Sequence, residues 1–351
     1  MIALENRAIY IPAVGTNFWG CWKKNLRHRD FDLKWFSPQS LFRYPYALIS
    51  AGFGINYDLY WRDRCGYLKD CLLMTDSGGY QISRGGHIDP NVSLGWQELN
   101  ADIGIVLDVP VRKDSNFGDC LKRSAKNFKI FERNRQNYQM KIYNVLQSGR
   151  TMTEMKMWHD AVKGFSFDGW CLSASNEKMQ VLGYLMLHEN DAKDLHGHFH
   201  LFGSSGMKTM LTMAMLSKHF NTPITFDSSS YTMGSRGRRF YRPMNLKDPI
   251  PFGRDATRIN VNPCHCPICS NATLDDLYSQ KKGALAPNLL DLHNMYQLIG
   301  VNNEINNLVR RDDSEALKTY ALSVGELETV QNVEVMLNAY ERGRLSRLVL
   351  K

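Results

Sequence analysis

Short apolar segments that end in small polar or acidic residues alternate with longer helix-like stretches through most of the chain, and this alternation restricts the possible folds most. Strand-like segments are predicted at residues 47–49, 71–75, 103–107, 141–146, 169–172, 198–202 and 224–226. The stretches between them are amphipathic, as surface helices are, at residues 120–137, 153–163, 177–188 and 208–219. Strands that alternate with helices in this way form βαβ units, and these units build a parallel sheet.

About seven or eight such units in a chain of 351 residues fit a closed (β/α)₈ TIM barrel of roughly 250 residues with a small insertion. An open, doubly wound sheet is the structural alternative. The chain beyond Pro287 is predicted to be helical, most clearly at residues 315–322 and 333–345. In a barrel the functional residues follow the C-terminal ends of the strands, where the βα loops meet.

A cluster of cysteines predicts a metal site. The segment 263–269 reads Pro-Cys-His-Cys-Pro-Ile-Cys and contains Cys264, Cys266 and Cys269, and His293 follows 24 positions after the last of them. Three thiolates and one imidazole complete a tetrahedral Zn²⁺ site with no open position, so we expect a structural zinc ion. His265 competes with His293 for the fourth place, but both of its neighbours are ligands and strain disfavours it.

These features predict three regions. A (β/α)₈ barrel forms the catalytic core over residues 1–255, a small zinc-binding subdomain follows over 256–300, and a C-terminal helical segment over 301–351 packs on the barrel. The chain contains no apolar run long enough to span a bilayer and no N-terminal signal sequence. We therefore expect a soluble protein of the cytoplasm.

Five of the predicted strands end in a small polar or acidic cluster, and three of these clusters carry an aspartate: Asp76, Asp108 and Asp227. Carboxylates that converge on one barrel mouth repel one another, so each needs its own partner or protonation state. Such a set suits glycosidic chemistry, in which one carboxylate attacks the sugar carbon and another handles the proton of the leaving group.

Other residues near these strand ends suit a nucleic acid. Tyr80 and Phe202 offer aromatic faces on which a base can stack, although core packing is the commoner fate of an aromatic side chain. After Asp227 the sequence carries three arginines on a glycine-containing loop, which suit phosphate contacts, with a solvated loop as the alternative. They are Arg236, Arg238 and Arg239. The net charge of +8 also favours a polyanionic partner.

A second group of histidines lies at positions 196, 198 and 200. Three imidazoles on one strand face could suggest another metal site. We interpret them instead as strand-edge histidines, because Asp194 is the only carboxylate close to them in sequence and no cysteine is nearby.

Several strings together resemble the tRNA-guanine transglycosylase superfamily. They are DSGGYQ at 76–81, LDVP at 107–110, the strand end at Gln147, FDSSSY at 226–231, and the Cys-x-Cys-x-x-Cys cluster with a later His-Asn. Each string is weak alone, but their order and spacing across residues 70–295 are specific. The fold of that family is a (β/α)₈ barrel with a zinc subdomain near the C-terminal end, which agrees with the expectations above.

The resemblance also implies roles for individual residues. Asp227 matches the nucleophile that attacks the anomeric carbon and expels guanine, and Asp76 matches the general acid/base that protonates departing guanine and deprotonates the incoming base. Asp108 and Gln147 match the residues that read the edge of the base. The remaining substrate-binding positions implied by the resemblance are Tyr80, Gln81, Ser173, Ala174, Ser175, Phe202 and Gly203.

The sequence departs from the tRNA enzymes in three places. Ser173–Ser175 replaces a segment that is usually rich in glycine. Asp227 precedes three serines rather than the cysteine and Pro-Thr-Arg stretch of the bacterial tRNA enzymes, and LDVP and FDSSSY are closer to the archaeal branch. The chain ends 58 residues beyond His293, at residue 351, so we expect no appended RNA-binding domains of the archaeal kind. These departures resemble the DpdA-type DNA 7-deazaguanine transglycosylases.

We therefore expect exchange of guanine in DNA for a 7-deazaguanine base such as 7-cyano-7-deazaguanine. The alternatives are the same chemistry on tRNA and a non-catalytic nucleic-acid-binding subunit, although such a subunit would not need both Asp76 and Asp227. A homodimer or accessory proteins are compatible with this expectation. A plain glycosidase would leave the cysteine cluster and the base-reading positions unexplained.

Overall fold

The computed structural model describes residues 4–15, 18, 22, 25, 27–82, 84–174, 176–195, 198–237, 239–242, 245–251, 264–273, 276–277 and 285–344. The strands within these ranges are β1 (Ala8–Pro12), β2 (Arg27–His28), β3 (Phe31–Asp32), β4 (Tyr46–Ser50), β5 (Leu72–Asp76), β6 (Ile103–Ile105), β7 (Lys141–Gln147), β8 (Gly169–Ser173), β9 (Phe199–Leu201), β10 (Ile224–Ser228), β11 (Arg239–Arg242) and β12 (Asn245–Pro251).

The helices within the same ranges are α1 (Ala51–Tyr57), α2 (Trp61–Cys65), α3 (Gly79–Ile82), α4 (Pro90–Asn100), α5 (Phe117–Asn134), α6 (Met152–Val162), α7 (Glu177–Leu195), α8 (Met207–Phe220), α9 (Ser230–Arg236), α10 (Pro267–Asn271), α11 (Leu285–Arg310), α12 (Ser314–Ser323) and α13 (Leu327–Glu341).

Eight parallel strands form the main sheet in the order β1-β10-β9-β8-β7-β6-β5-β4. The two strands at the ends of this order meet through a parallel bridge between Ala13 and Leu48. The Val14 N–H donates to the Leu48 carbonyl at 2.7 Å, and the Ala13 N–H donates to the Ser228 carbonyl at 3.1 Å. The sheet therefore closes on itself, which confirms the predicted (β/α)₈ barrel and excludes the open sheet.

The barrel strands are short, and several of them run through the core and end in a polar residue at the mouth. In β5 the apolar residues 72–74 and Thr75 are buried and the final Asp76 is half-buried. Several of the helices that follow begin at a polar side chain that accepts backbone N–H groups of the first turn. Asn116 accepts from Asp119 N–H at 3.1 Å, and Thr151 accepts from Glu154 N–H at 3.2 Å.

The first strand was not among the predicted strands. All five residues of β1 are buried, and helix α11 covers this strand through Asn306. The Asn306 side chain accepts from the Ala8 N–H at 2.9 Å and donates to the Ala8 carbonyl at 2.9 Å. The eighth position of the barrel is therefore filled by residues near the start of the chain.

Helix α11 is 26 residues long and continues through residue 300, the limit expected between the zinc-binding subdomain and the C-terminal segment. The division of the chain into three regions stays a prediction. The last helix, α13, lies against α7, where the Tyr340 hydroxyl and His188 Nδ1 share a hydrogen bond of 2.9 Å. None of the described helices is both long enough and apolar enough to cross a membrane.

Candidate active site

Asp76 ends strand β5, and a turn built on two glycines follows it. Its Oδ1 accepts from the Ser50 hydroxyl and from the Gly78 N–H, both at 2.7 Å. Gly78 has a φ of +95°, a left-handed conformation that favours glycine. Burial raises the pKa of Asp76 to about 6, the charge of Asp227 adds to the increase, and the two hydrogen bonds oppose it. Asp76 can therefore give or take a proton near neutral pH.

Asp108 lies just after strand β6 and is buried. The Gln147 side-chain amide, at the end of β7, donates to Asp108 Oδ2 at 2.5 Å. Burial raises the pKa of Asp108 to about 7, the Gln147 hydrogen bond opposes the increase, and the charge of Asp76 adds to it. The predicted base-reading pair is thus a hydrogen-bonded pair inside the protein.

Asp227 lies in strand β10 and is 7% exposed. Its Oδ1 is 3.0 Å from His200 Nε2 and accepts from the Gly203 N–H at 2.9 Å. Among the described residues, none donates a hydrogen bond to Asp227 Oδ2. One carboxylate oxygen is therefore anchored, and the other is left for an incoming atom.

The strand ends place the three carboxylates near one another. The charge of Asp227 raises the pKa of Asp76, and the charge of Asp76 raises that of Asp108. The turn after Asp76 also packs closely against Asp108, because a Cβ on Gly79 would lie 2.7 Å from Asp108 Oδ1. Three acids with different hydrogen-bond partners thus share one barrel mouth, as the sequence predicts.

The predicted aromatic residues differ in exposure. Tyr80 is 56% exposed, and the guanidinium carbons of Arg84 and Arg112 lie 4.8 and 5.9 Å from the centroid of its ring. Phe202 is half-buried, and its ring meets the His200 ring edge-on with centroids 5.3 Å apart. Tyr80 is thus an aromatic surface at the end of β5, while Phe202 packs beside the Asp227 strand end.

The other predicted substrate-binding residues that the structure describes lie at strand ends or in the turn and helix that follow β5. Gln81 donates to the Ser50 hydroxyl at 3.1 Å, and Ser50 in turn donates to Asp76. Ser173 ends β8 in register with Gln147, and Ala174, the next residue, is half-buried. Ser175 lies outside the described residues. Gly203 has a φ of +67°, and this turn aims its N–H at Asp227.

The predicted phosphate-binding arginines are exposed where the structure describes them. Arg236 is the last residue of α9 and Arg239 the first of β11, and both side chains are on the surface. Arg238 lies outside the described residues. Helix α9 begins two residues after strand β10 ends, so this segment leaves the barrel beside the Asp227 strand end.

The predicted ligands of the metal site come together. The ligand atoms of Cys264, Cys266, Cys269 and His293 all lie within 4.8 Å of one another. His293 Nε2 is 2.9 Å from the Tyr241 carbonyl, an acceptor that requires the proton on Nε2 and leaves the Nδ1 lone pair for a metal. His293 Nδ1 is 3.3 Å from the sulfurs of both Cys266 and Cys269.

This group could hold a metal ion, and its donor set of three thiolates and one imidazole is complete for tetrahedral coordination. Gln297 donates to the Cys264 sulfur at 3.4 Å, which is the kind of outer hydrogen bond that orients a ligand. The competing residue His265 is exposed and is not part of the group. The prediction of His293 as the fourth ligand therefore agrees with the geometry.

Sequence reasoning missed three residues that surround the acids. His200 contacts Asp227, although we interpreted it as a strand-edge residue, and it is fully buried. Thr225 contacts the other ring nitrogen of His200 at 2.9 Å, and Ser50 contacts Asp76. The period of two that places residues 225 and 227 on the same face of β10 was the one signal available for Thr225.

The chain is similar to proteins of known family. The model of the queuine tRNA-ribosyltransferase (TGT) family matches residues 66–323, a range that contains the three aspartates and the four metal ligands. The tRNA-guanine(15) transglycosylase of Saccharolobus solfataricus is 26% identical over 253 residues, which are 66% of this chain and 46% of that protein.

Two further relatives carry the same name. The protein of Methanococcus aeolicus is 25% identical over 243 residues, 65% of this chain and 35% of its own length. The protein of Methanosarcina mazei is 27% identical over 238 residues, 65% of this chain and 45% of its own length. The chain thus spans less than half the length of these curated relatives. By the family match over most of its length, the chain belongs to the queuine tRNA-ribosyltransferase family.

Proposed function

We propose that this protein is a guanine transglycosylase that exchanges guanine in DNA for a 7-deazaguanine base through a covalent intermediate on Asp227. The observation that carries the proposal is the difference between the acids. Asp227 has one oxygen anchored by two hydrogen bonds and the other without a partner among the described residues, whereas desolvation inside the barrel mouth raises the pKa of Asp76 to about 6. A nucleophile and a proton donor need these two different environments.

In the first step Asp227 Oδ2 attacks C1′ of the sugar. A carbon–oxygen bond forms while the C1′–N9 bond breaks, and the electron pair of that bond goes to guanine. Asp76 donates a proton to the departing base, so guanine leaves as a neutral molecule and Asp76 becomes a carboxylate. The sugar stays attached to Asp227.

The second step reverses the first with a different base. The Asp76 carboxylate takes the proton from the incoming 7-deazaguanine, and the nitrogen so freed attacks C1′. The bond between the sugar and Asp227 breaks with its electrons on oxygen, which restores the Asp227 carboxylate and the Asp76 acid. The same two residues serve both steps, and no proton is lost or gained overall.

The pair of Asp108 and Gln147 is proposed to recognise the base. An ionised Asp108 can accept from the ring N–H and the amino group of guanine, and the Gln147 amide can donate to its carbonyl. The hydrogen bond between them keeps both side chains in place before the base arrives. We assign the remaining contacts to Tyr80 and Phe202 as stacking surfaces. Gln81, Ser173, Ala174, Ser175 and Gly203 line the site in this proposal.

Two polymers are candidates. DNA is favoured by the departure of the sequence at residues 173–175 and, relative to the bacterial tRNA enzymes, at 228–230, and tRNA is favoured by the printed names of the relatives. Arg236, Arg238 and Arg239 would contact phosphates in either case. A target base within duplex DNA must leave the base stack to reach the barrel mouth.

We also propose that the group of three cysteines and His293 holds zinc. When bound, the ion would supply folding energy rather than reactivity, because four protein ligands leave no position for substrate. Strand β11 lies against this group, since the Phe240 ring stacks on the His293 ring with centroids 3.7 Å apart. The metal would thereby stabilise the segment that follows the Asp227 strand end.

A guanine-exchange assay tests the proposal. Purified protein is incubated with radiolabelled guanine and, side by side, plasmid DNA and bulk unmodified tRNA, with Asp227→Asn as the inactive control. Label in DNA alone supports the proposal, and unlabelled 7-cyano-7-deazaguanine should then chase it out. Label in tRNA alone would show that the same reaction acts on tRNA and would reject DNA as the substrate. Label in neither polymer, or label at the wild-type rate with Asp227→Asn, would contradict the proposal.

A further inference from the structure

His200 makes two hydrogen-bond contacts from the interior of the barrel. It is the middle residue of strand β9, its exposure is 0%, and no solvent reaches it. Its Nε2 is 3.0 Å from Asp227 Oδ1, and its Nδ1 is 2.9 Å from Thr225 Oγ1. Both ring nitrogens therefore face a defined partner.

The Thr225 hydroxyl determines the protonation of Nδ1. A hydroxyl has one proton, and Thr225 donates that proton to the Phe199 carbonyl at 3.0 Å. Thr225 Oγ1 must then accept from His200, so Nδ1 carries a hydrogen. The contact between Nε2 and Asp227 Oδ1 also needs a proton between its two atoms, and a carboxylate paired with an imidazole that is protonated on both nitrogens supplies it.

Among the described residues, His200 is the one side chain able to carry a positive charge within 4.0 Å of an Asp227 oxygen. Among the described residues, the titratable groups around the pair include Cys171, opposite His200 on β8, Tyr10 and Asp76. Burial raises the pKa of both Cys171 and Tyr10 well above the usual range, so these two groups stay neutral.

We infer that His200 is the positioning residue of the nucleophile: its Nε2–H donates to Asp227 Oδ1, holds the carboxylate in place and leaves Oδ2 as the oxygen that attacks the sugar. The inference rests on the proposed function. In the first step the charge of Asp227 passes into the new carbon–oxygen bond, and in the second step the charge returns to the carboxylate. The proton stays on His200 Nε2 throughout, where it stabilises the carboxylate as it leaves the sugar.

Kinetics of three variants test the role. His200→Leu removes the N–H and is expected to lower kcat for guanine exchange by about 10- to 150-fold, the effect of losing a hydrogen bond to a charged group. His200→Gln places an amide N–H where Nε2 was and should restore part of the loss. Thr225→Val removes the acceptor for Nδ1 and should lower kcat by about 5-fold. KM for guanine should stay unchanged in all three, because His200 does not touch the base.

Thr212→Val is the matched control, since Thr212 is fully buried and its hydroxyl has no hydrogen-bond partner within the described part of the chain. It should exchange guanine at the wild-type rate. The inference would be overturned if His200→Leu kept the kcat of the wild type, or if His200→Gln and His200→Leu lost equal activity. In either case, guanine exchange by the unmodified protein would still support the proposed function.

Nitrogen-15 NMR of histidine-labelled protein at pH 7 tests the same pair without any turnover. The His200 signals are assigned by their loss in His200→Gln. Both ring nitrogens of His200 should be protonated in the wild type, and Nε2 should lose its proton in Asp227→Asn. A bare Nε2 in the wild type, or spectra that Asp227→Asn leaves unchanged, would overturn the inference. Absence of exchange by the wild type beside the expected spectra would reject the proposed function alone.

Discussion

Replacing Asp108 with asparagine changes the charge of the site and little of its shape. Asp108 is 5% exposed and accepts a hydrogen bond from Gln147, which the asparagine oxygen can also accept. Burial raises the pKa of Asp108 from 3.8 to about 7 in the folded protein. The unfolded chain exposes this carboxyl to water, where its pKa returns to about 3.9.

The sign of the effect follows from these two pKa values. As the pH rises from about 4 to 7, the unfolded chain releases the Asp108 proton while the folded protein keeps it, so the free energy of unfolding falls. The raised pKa lowers the free energy of unfolding by about 4 kcal/mol at pH 8 and by about 1.5 kcal/mol at pH 5, at 1.36 kcal/mol for each unit of pKa difference. Asp108→Asn removes this loss and should stabilise the fold by these amounts.

Urea unfolding followed by the fluorescence of the seven tryptophans measures the effect at pH 5 and pH 8. The control is Asp168→Asn. Burial raises the pKa of Asp168, but the Ile142 N–H and Arg135 outweigh it and lower the pKa overall, so this variant should lose stability at pH 8. An equal gain at both pH values for Asp108→Asn, or a loss at pH 8, would refute the electrostatic reasoning. Asp108→Asn should also no longer exchange guanine.

Three further changes have defined outcomes. Cys266→Ser should release the metal and lower the melting temperature, which elemental analysis and calorimetry would measure; full metal content with full stability would contradict the site. Gly79→Ala should lower guanine exchange by about tenfold or more, because its Cβ would lie 2.7 Å from Asp108 Oδ1. Gly95→Ala, whose Cβ meets nothing within 4 Å, should leave exchange unchanged. For Asp76, whose pKa burial raises to about 6, guanine release should slow as the pH rises above about 6; a flat rate from pH 5 to 8 would argue against its role as the acid.

The barrel was predictable because each strand carries its own signal. A run of apolar residues bounded by polar ones marks strands such as β5 and β7 without any knowledge of neighbours. Strand β1 was missed, although its five residues are as apolar as the others. The sequence after β1 has no helix-like period, so no βα unit is predicted there. The local sequence also does not indicate that Ala8 pairs with Ile224. Only closure of the sheet brings these two distant segments together.

The sequence predicted the metal ligands as a group, but for the acids it predicted only their positions at strand ends. Spacing alone placed Cys264, Cys266 and Cys269 in one group, since three thiols within six positions must lie close together. The choice of His293 over His265 came from local strain, and the Tyr241 carbonyl supplies a contact that no local pattern shows. The acids were found as strand ends, but their hydrogen-bond partners were not.

The amino-acid sequence alone determined the number and order of the strands from residue 46 to residue 228, the polar residues at their ends, and the family to which the chain belongs. These properties depend on local periodicity and on motifs that are read in order along the chain. The tertiary structure decided which acid is anchored, that burial raises the pKa of Asp76 to about 6 and that of Asp108 to about 7, and that His200 lies against Asp227. Burial and hydrogen bonding between strands distant in sequence set these properties, because both depend on the surroundings that the closed barrel builds around each side chain.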